Sequence, residues 1–173
     1  MCYIEIVFKD VNKKCIEKFI NKCIKIETKN IIDSHFYDSE RNVDIEYKDV
    51  NSLEEYFSES ATCNIYVSQI DLGETLNEVL VLISFDKKGD IILNFKESQF
   101  EKKCFAEIQA IIDKLVCRVQ EICKMCEINK CVIGYESAED LDMKIMEITN
   151  EKMEKFNEGY FGSLVAKAFY LVE

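Results

Sequence analysis

A chain of 173 residues, 48% hydrophobic and 32% charged, has the make-up of one globular domain with a real core, since chains of about 150 residues bury roughly 70% of their unfolded surface. Its net charge of −11 disfavours nucleic acid and anionic lipid and favours basic proteins or cationic ligands at long range. The first residues lack a basic segment followed by a long apolar core, and no run approaches the roughly 18 apolar residues of a membrane span, so the expectation is a cytoplasmic protein whose nine cysteines are reduced thiols.

Cys2, Ile4, Ile6 and Phe8 alternate with Tyr3, Glu5 and Val7, which predicts a strand with one buried face. Asp10 then offers an N-cap to a helix of about four turns, in which Cys15, Ile16, Phe19, Ile20, Cys23 and Ile24 recur at helical spacing. Residues 31–37 and 43–48 read as a hairpin around Ser39, Glu40, Arg41 and Asn42, with Val43, Ile45 and Tyr47 on one face and Asp44, Glu46 and Lys48 on the other. Ser52 and Glu55 form the signature of a capping box before Leu53, Tyr56 and Phe57.

Three strands follow as a meander: Cys63, Ile65 and Val67 on the first, 79–85 on the second, and Ile91, Leu93 and Phe95 after the turn 86–90. Val79 to Ile83 is apolar at every position and predicts a central strand covered on both faces. Gln99 to Cys126 is expected to be one long helix, capped by Ser98 with Glu101, whose apolar positions repeat every three or four residues. Two more strands are predicted at 131–135 and 143–148 and a short helix at 151–157, while 163–172 fits either a helix or an edge strand. Without a linker, repeat or low-complexity segment, residues 1–173 read as a single α+β domain, a mixed and mostly antiparallel sheet packed by helices.

No catalytic constellation emerges. His35, the sole imidazole, sits among acids on a half-exposed strand and reads as a surface residue. Asp86 to Asp90 has two acids and a Gly but not the alternating ligands of a Ca loop, and the glycine patterns of nucleotide sites are absent. Cys123 and Cys126, with Cys131 beyond them, are the one local pattern for Zn or a redox pair; core packing at the end of a helix explains the same spacing. No cofactor is called for.

Charge is concentrated instead: Ile31 to Ser60 carries nine acids against two basic residues, or −7, whereas Met1 to Asn30 is +3. A solvated face is the plain reading of such a block, and a partner footprint the functional one. The expected footprint is Asp33, Asp38, Glu40, Asp44, Glu46, Glu54, Glu55 and Glu59, with Tyr37 and Tyr56 as aromatic anchors. Glu136, Glu139, Asp140 and Asp142 form a second cluster.

An acidic, single-domain α+β chain without catalytic motifs resembles the immunity proteins of bacterial polymorphic-toxin and contact-dependent inhibition systems, and Gly134-Tyr135-Glu136-Ser137-Ala138-Glu139-Asp140 is similar to segments in some of those families. The resemblance implies a bacterial, non-enzymatic, stoichiometric inhibitor that binds a cognate toxin domain, often a basic nuclease. The alternatives are a Zn-stabilised regulatory or adaptor domain using Cys123, Cys126 and Cys131, which would unfold on chelation, and a small enzyme.

Overall fold

The computed structural model describes residues 2–38, 42–86, 88–157 and 162–173. The first strand, β1 (Tyr3–Val11), is longer than its alternating run. Asp10 is not the N-cap: it lies within β1 at φ 56°, its N–H donating to Asp90 Oδ1, and Asn12 caps instead, accepting from Lys14 N at 3.0 Å. The segment then passes from a 3₁₀ turn (Lys13–Cys15) through α1 (Ile16–Lys18) into a π turn (Phe19–Cys23), more irregular than the helix expected, yet it buries the predicted Ile16, Phe19, Ile20 and Cys23. Phe19 meets Phe8 edge to face at 4.9 Å between ring centres, a geometry worth about 1 kcal/mol beyond its buried area.

The hairpin forms as β2 (Ile31–Asp38) and β3 (Val43–Ile45), the second strand ending short of the expected residue 48 where Tyr47–Asp49 make a 3₁₀ turn; residues 39–41 of the hairpin turn lie outside the described chain. Ser34 and Phe36 are buried and His35 is exposed, as alternation requires, but a register shift between Ile31 and Asp33 leaves Ile32 exposed. Tyr47 turns inward, its ring 6.0 Å from Phe36, while Val43 of the same predicted face stays exposed. Ser52 caps α2 (Leu53–Tyr56) by accepting from Glu55 N.

The meander is β4 (Ala61–Asp71), β5 (Thr75–Phe85) and β6 (Gly89–Lys96). The long helix α3 (Phe105–Met125) starts six residues later than its predicted first residue, Gln99. A 3₁₀ turn occupies Glu97–Phe100, and Cys104 is the N-cap, its N–H donating to Glu107 Oε2 at 2.7 Å, so Glu107 takes the place expected of Glu101. β7 (Lys130–Tyr135) and β8 (Lys144–Thr149) follow. The helix expected at 151–157 is instead β9 (Met153–Lys155), since a tight turn, Thr149 N to Lys152 O at 2.8 Å, folds the chain back to pair with β8. Segment 163–172 is α4 (Leu164–Leu171), capped by Ser163.

The nine strands of the described residues join one sheet in the order β3-β2-β4-β5-β6-β1-β7-β8-β9, and each of their pairings is antiparallel. Because β1 runs antiparallel to both neighbours, β6 and β7 are parallel to each other, and α3 is the crossover between them. The buried helical residues Ile112, Leu115, Val119 and Phe169 share one core with Ile4, Ile6, Val81, Leu93 and Ile133, so the helices lie on one face of the sheet. The other face holds a separate small cluster of Val7, Val132 and Ala138, to which no helix contributes.

This arrangement reverses the expected roles of two strands. β1 is closed on both faces, Glu5 and Val7 being buried as well as Ile4, Ile6 and Phe8. In β5 Leu76, Val79, Val81, Ile83 and Phe85 are buried, whereas Leu80 and Leu82 are only half-buried on the face opposite the helices.

Candidate partner-binding surface

The acidic block divides into two neighbouring groups. On the sheet, Asp33, His35 and Tyr37 of β2 point away from the helices; Asp33 is opposite Tyr66, His35 opposite Asn64, and Tyr37 opposite Asp44 of β3. Asp33 Oδ2 lies 3.3 Å from His35 Nε2 with both side chains more than half exposed. Tyr37 is half exposed, and its hydroxyl donates to Asn42 Oδ1. Glu46 is occupied by a neighbour, Lys48, at 2.7 Å, which raises the lysine's pKa.

Around α2, Glu54, Glu55 and Glu59 are exposed. Tyr56 is a half-buried wall: its ring meets Phe36 at 5.0 Å and Phe57 at 4.8 Å, and its hydroxyl accepts from Tyr37 N at 2.9 Å. Tyr37, Ile45, Val50, Glu55, Tyr56 and Glu59 line a cleft of about 780 Å³. A second hollow, about 700 Å³, lies between the end of β1 and α2 and mixes Lys13, Lys14 and Lys88 with Asp10, Glu54 and Glu55. The fold thus brings Tyr37, Glu55, Tyr56 and Glu59 into one cleft and sets Asp33 and Asp44 beside it on the open sheet. Asp38 ends β2, and Glu40 lies outside the described residues.

In the second acidic cluster, Glu136, Glu139, Asp140 and Asp142 are exposed on the segment joining β7 to β8, with Glu139 3.0 Å from Lys9. Ala138 anchors this segment on Val7 and Val132, and its N–H donates to Glu5 Oε2 at 3.1 Å.

The cysteine pattern does not form one site. Cys126 turns to Cys23, 3.7 Å between sulfurs, whereas Cys123 hydrogen-bonds Cys131, so the three expected ligands do not converge. Among the described residues no three His, Cys, Asp or Glu side chains are grouped to hold a metal. The hydrogen bond from Cys126 draws the Cys23 thiol down to about 7 despite burial, with Arg118 and Lys18 adding to the effect, and pushes Cys126 up. Cys2, Cys104 and Cys117 are exposed. Among the described residues no helix is long and apolar enough to cross a membrane.

With the surface defined, relatives decide its class. Residues 2–151 match the family model described as PABL017 Cdi1I immunity protein. The chain belongs to that family. As a member of an immunity-protein family, the chain is non-enzymatic. Its fold matches a chain from the crystal structure of the toxic C-terminal tip of CdiA from Pseudomonas aeruginosa in complex with immune protein, at TM-score 0.64 and 16% identity over 88% of this chain and 97% of that one. No curated protein matches.

Sequence reasoning passed over the open-face residues Tyr66, Leu80, Leu82 and Ile92. The signal was present in the uninterrupted apolar run 79–83, but it reads equally as a strand sandwiched on both sides.

Proposed function

We propose that this Cdi1I-family chain binds and neutralises the toxic C-terminal tip of a cognate CdiA-type toxin, and that its β2–α2 acidic face meets a basic surface on that tip, such as a nuclease domain presents. The family match over residues 2–151 carries the reading. The −7 block supports the sign of the partner, because Asp33, Asp44, Glu46, Asp49, Glu54, Glu55 and Glu59 stand exposed on ordered structure and the block's acids far outnumber its two basic residues. Charge of this kind steers encounter and raises the association rate, while a few desolvated anchors set the lifetime of the complex. Tyr37 and the cleft beside it supply an amphipathic anchor point among the carboxylates.

The test is co-expression of the toxin tip with this chain, scored by growth, together with binding kinetics of the purified pair. Protection by the wild type, and an association rate reduced about tenfold at low salt by Asp44→Lys with Glu46→Lys, are expected. An unchanged association rate would remove the β2–β3 acids from the interface. Weakening by Glu136→Lys with Asp140→Lys instead would move it to the β7–β8 segment.

A further inference from the structure

The face of the sheet opposite the helices has one described cover, the β7–β8 segment with Ala138 seated on Val7 and Val132. Beyond it no other described segment covers the middle of the face, and a few apolar side chains stand there among polar ones such as Thr62, Asn64 and Ser84, where an open sheet face is ordinarily polar throughout. Leu80 of β5 stands opposite Tyr66 of β4, and Leu82 stands opposite Ile92 of β6, which is itself opposite Val7 of β1. Tyr66, Leu80, Leu82 and Ile92, all half-buried, therefore make a contiguous apolar patch on three adjacent strands, roughly 10 Å across the strands and 7 Å along them.

Its border is charged, and unevenly so. Toward β2 it meets Asp33, directly opposite Tyr66, and His35, opposite Asn64; Asp44 lies further out on the same face, on β3 beyond Tyr37. Glu78 and Lys96 neutralise each other at 2.6 Å along one side. On another side Lys9 is shared by Asp90 and Glu139, at 2.6 and 3.0 Å, leaving an excess acid. An apolar centre inside a negative rim fits a partner with apolar anchors ringed by Lys and Arg, the arrangement in which central contacts hold a complex and rim charges select it.

We infer that the toxin tip docks on this open sheet face, with Tyr66, Leu80, Leu82 and Ile92 beneath its apolar anchors and Asp33 and Asp44 against its cationic rim. The inference rests on the proposed toxin-neutralising function. It extends that function from the acidic edge onto the middle of the sheet. The charge sign selects the occupant: a second copy of this chain would bring Asp33, Asp44 and Asp90 against like charges.

The experiment measures affinity for the purified, catalytically inactivated toxin tip by wild type, Leu82→Lys, Tyr66→Ser and Leu171→Lys. Leu171 is half-exposed on α4, so its substitution makes the same chemical change on the helical side. Leu82→Lys is expected to weaken binding at least about 30-fold and Tyr66→Ser by about tenfold or more, with Leu171→Lys within about twofold of wild type. Thermal unfolding checks that each variant folds, and Tyr66→Ser decides the matter should Leu82→Lys not fold. Wild-type binding that survives both open-face substitutions, or that is lost equally with Leu171→Lys, would overturn the docking face while leaving the toxin-neutralising function standing. Absence of wild-type binding would overturn both.

Discussion

Glu5 offers the sharpest test of how the fold holds the β7–β8 segment in place. It is 9% exposed between β6 and β7; Oε1 accepts from Asn94 Nδ2 at 3.2 Å and Oε2 from Ala138 N at 3.1 Å, and Asn94 is equally buried. Glu5→Ala removes both acceptors at once and strands two donors where water has little access. A buried donor left without a partner costs about 1–3 kcal/mol, so two predict a loss of roughly 2–4 kcal/mol after local relaxation admits some water. Glu5→Gln keeps one acceptor but turns an amide N–H toward the other donor, and should lose about half as much. At about 2–4 °C per kcal/mol for a chain of this size, Glu5→Ala should melt roughly 5–12 °C below wild type. Urea unfolding should show a lower midpoint with an unchanged slope. A loss under about 0.5 kcal/mol would refute the argument, showing either that the two donors find water in the native state or that the segment is not held through Glu5.

Gly134 is directly opposite Glu5, and a Cβ there would come within 2.5 Å of the Met143 carbonyl oxygen and 2.9 Å of Ala138 Cβ; Gly134→Ala should therefore destabilise by about 1–3 kcal/mol and loosen the β7–β8 segment, seen as faster proteolysis between them. Glu147 accepts from Lys144 at 2.9 Å and lies 3.2 Å from Lys130; burial opposes its charge, but the two lysines outweigh that and hold its pKa below 4.5. A carboxyl with a depressed folded-state pKa contributes stability that is present above the unfolded value and lost as pH falls through the folded one. Wild type should accordingly lose its advantage over Glu147→Gln, about 1 kcal/mol at neutral pH, as pH drops from about 4.5, measured by unfolding across pH 6 to 3; a constant difference would contradict the assignment.

What could be read ahead of the structure followed from local chemistry. The capped stretch at Ser52, the meander and the apolar stripe of α3 each depend on contacts within a few residues, and each appears close to its expected place. Errors fell where two local solutions compete. Ser98-x-x-Glu101 and Cys104-x-x-Glu107 both resemble helix starts, and a thiol is a poorer expected cap than a hydroxyl, yet the turn that buries Phe100 puts the real start at Cys104. At 151–157 the unsatisfied edge of β8 recruits Met153–Lys155 as a strand, which no property of those residues announces. The candidate surface was legible as charge but not as shape: the acids could be counted, whereas their division between a sheet face and a cleft required the pairing of β2 with β4.

From residue order alone came the class of the molecule: one α+β domain, a long amphipathic helix and an acidic stretch at residues 31–60. Alternation and helical spacing are short-range properties, and net charge is a sum, so neither needs a fold to be known. Only tertiary structure decided which strand is covered on both sides. A continuous apolar run such as Val79–Ile83 and an alternating run such as Tyr3–Phe8 state which side chains can be buried, but coverage depends on strand order. Insertion of β1 between β6 and β7 places Glu5 and Val7 beneath the β7–β8 segment, and placement of β5 away from that segment leaves Leu80 and Leu82 only half-buried. The open apolar patch exists because the helices of the described core pack on the other side.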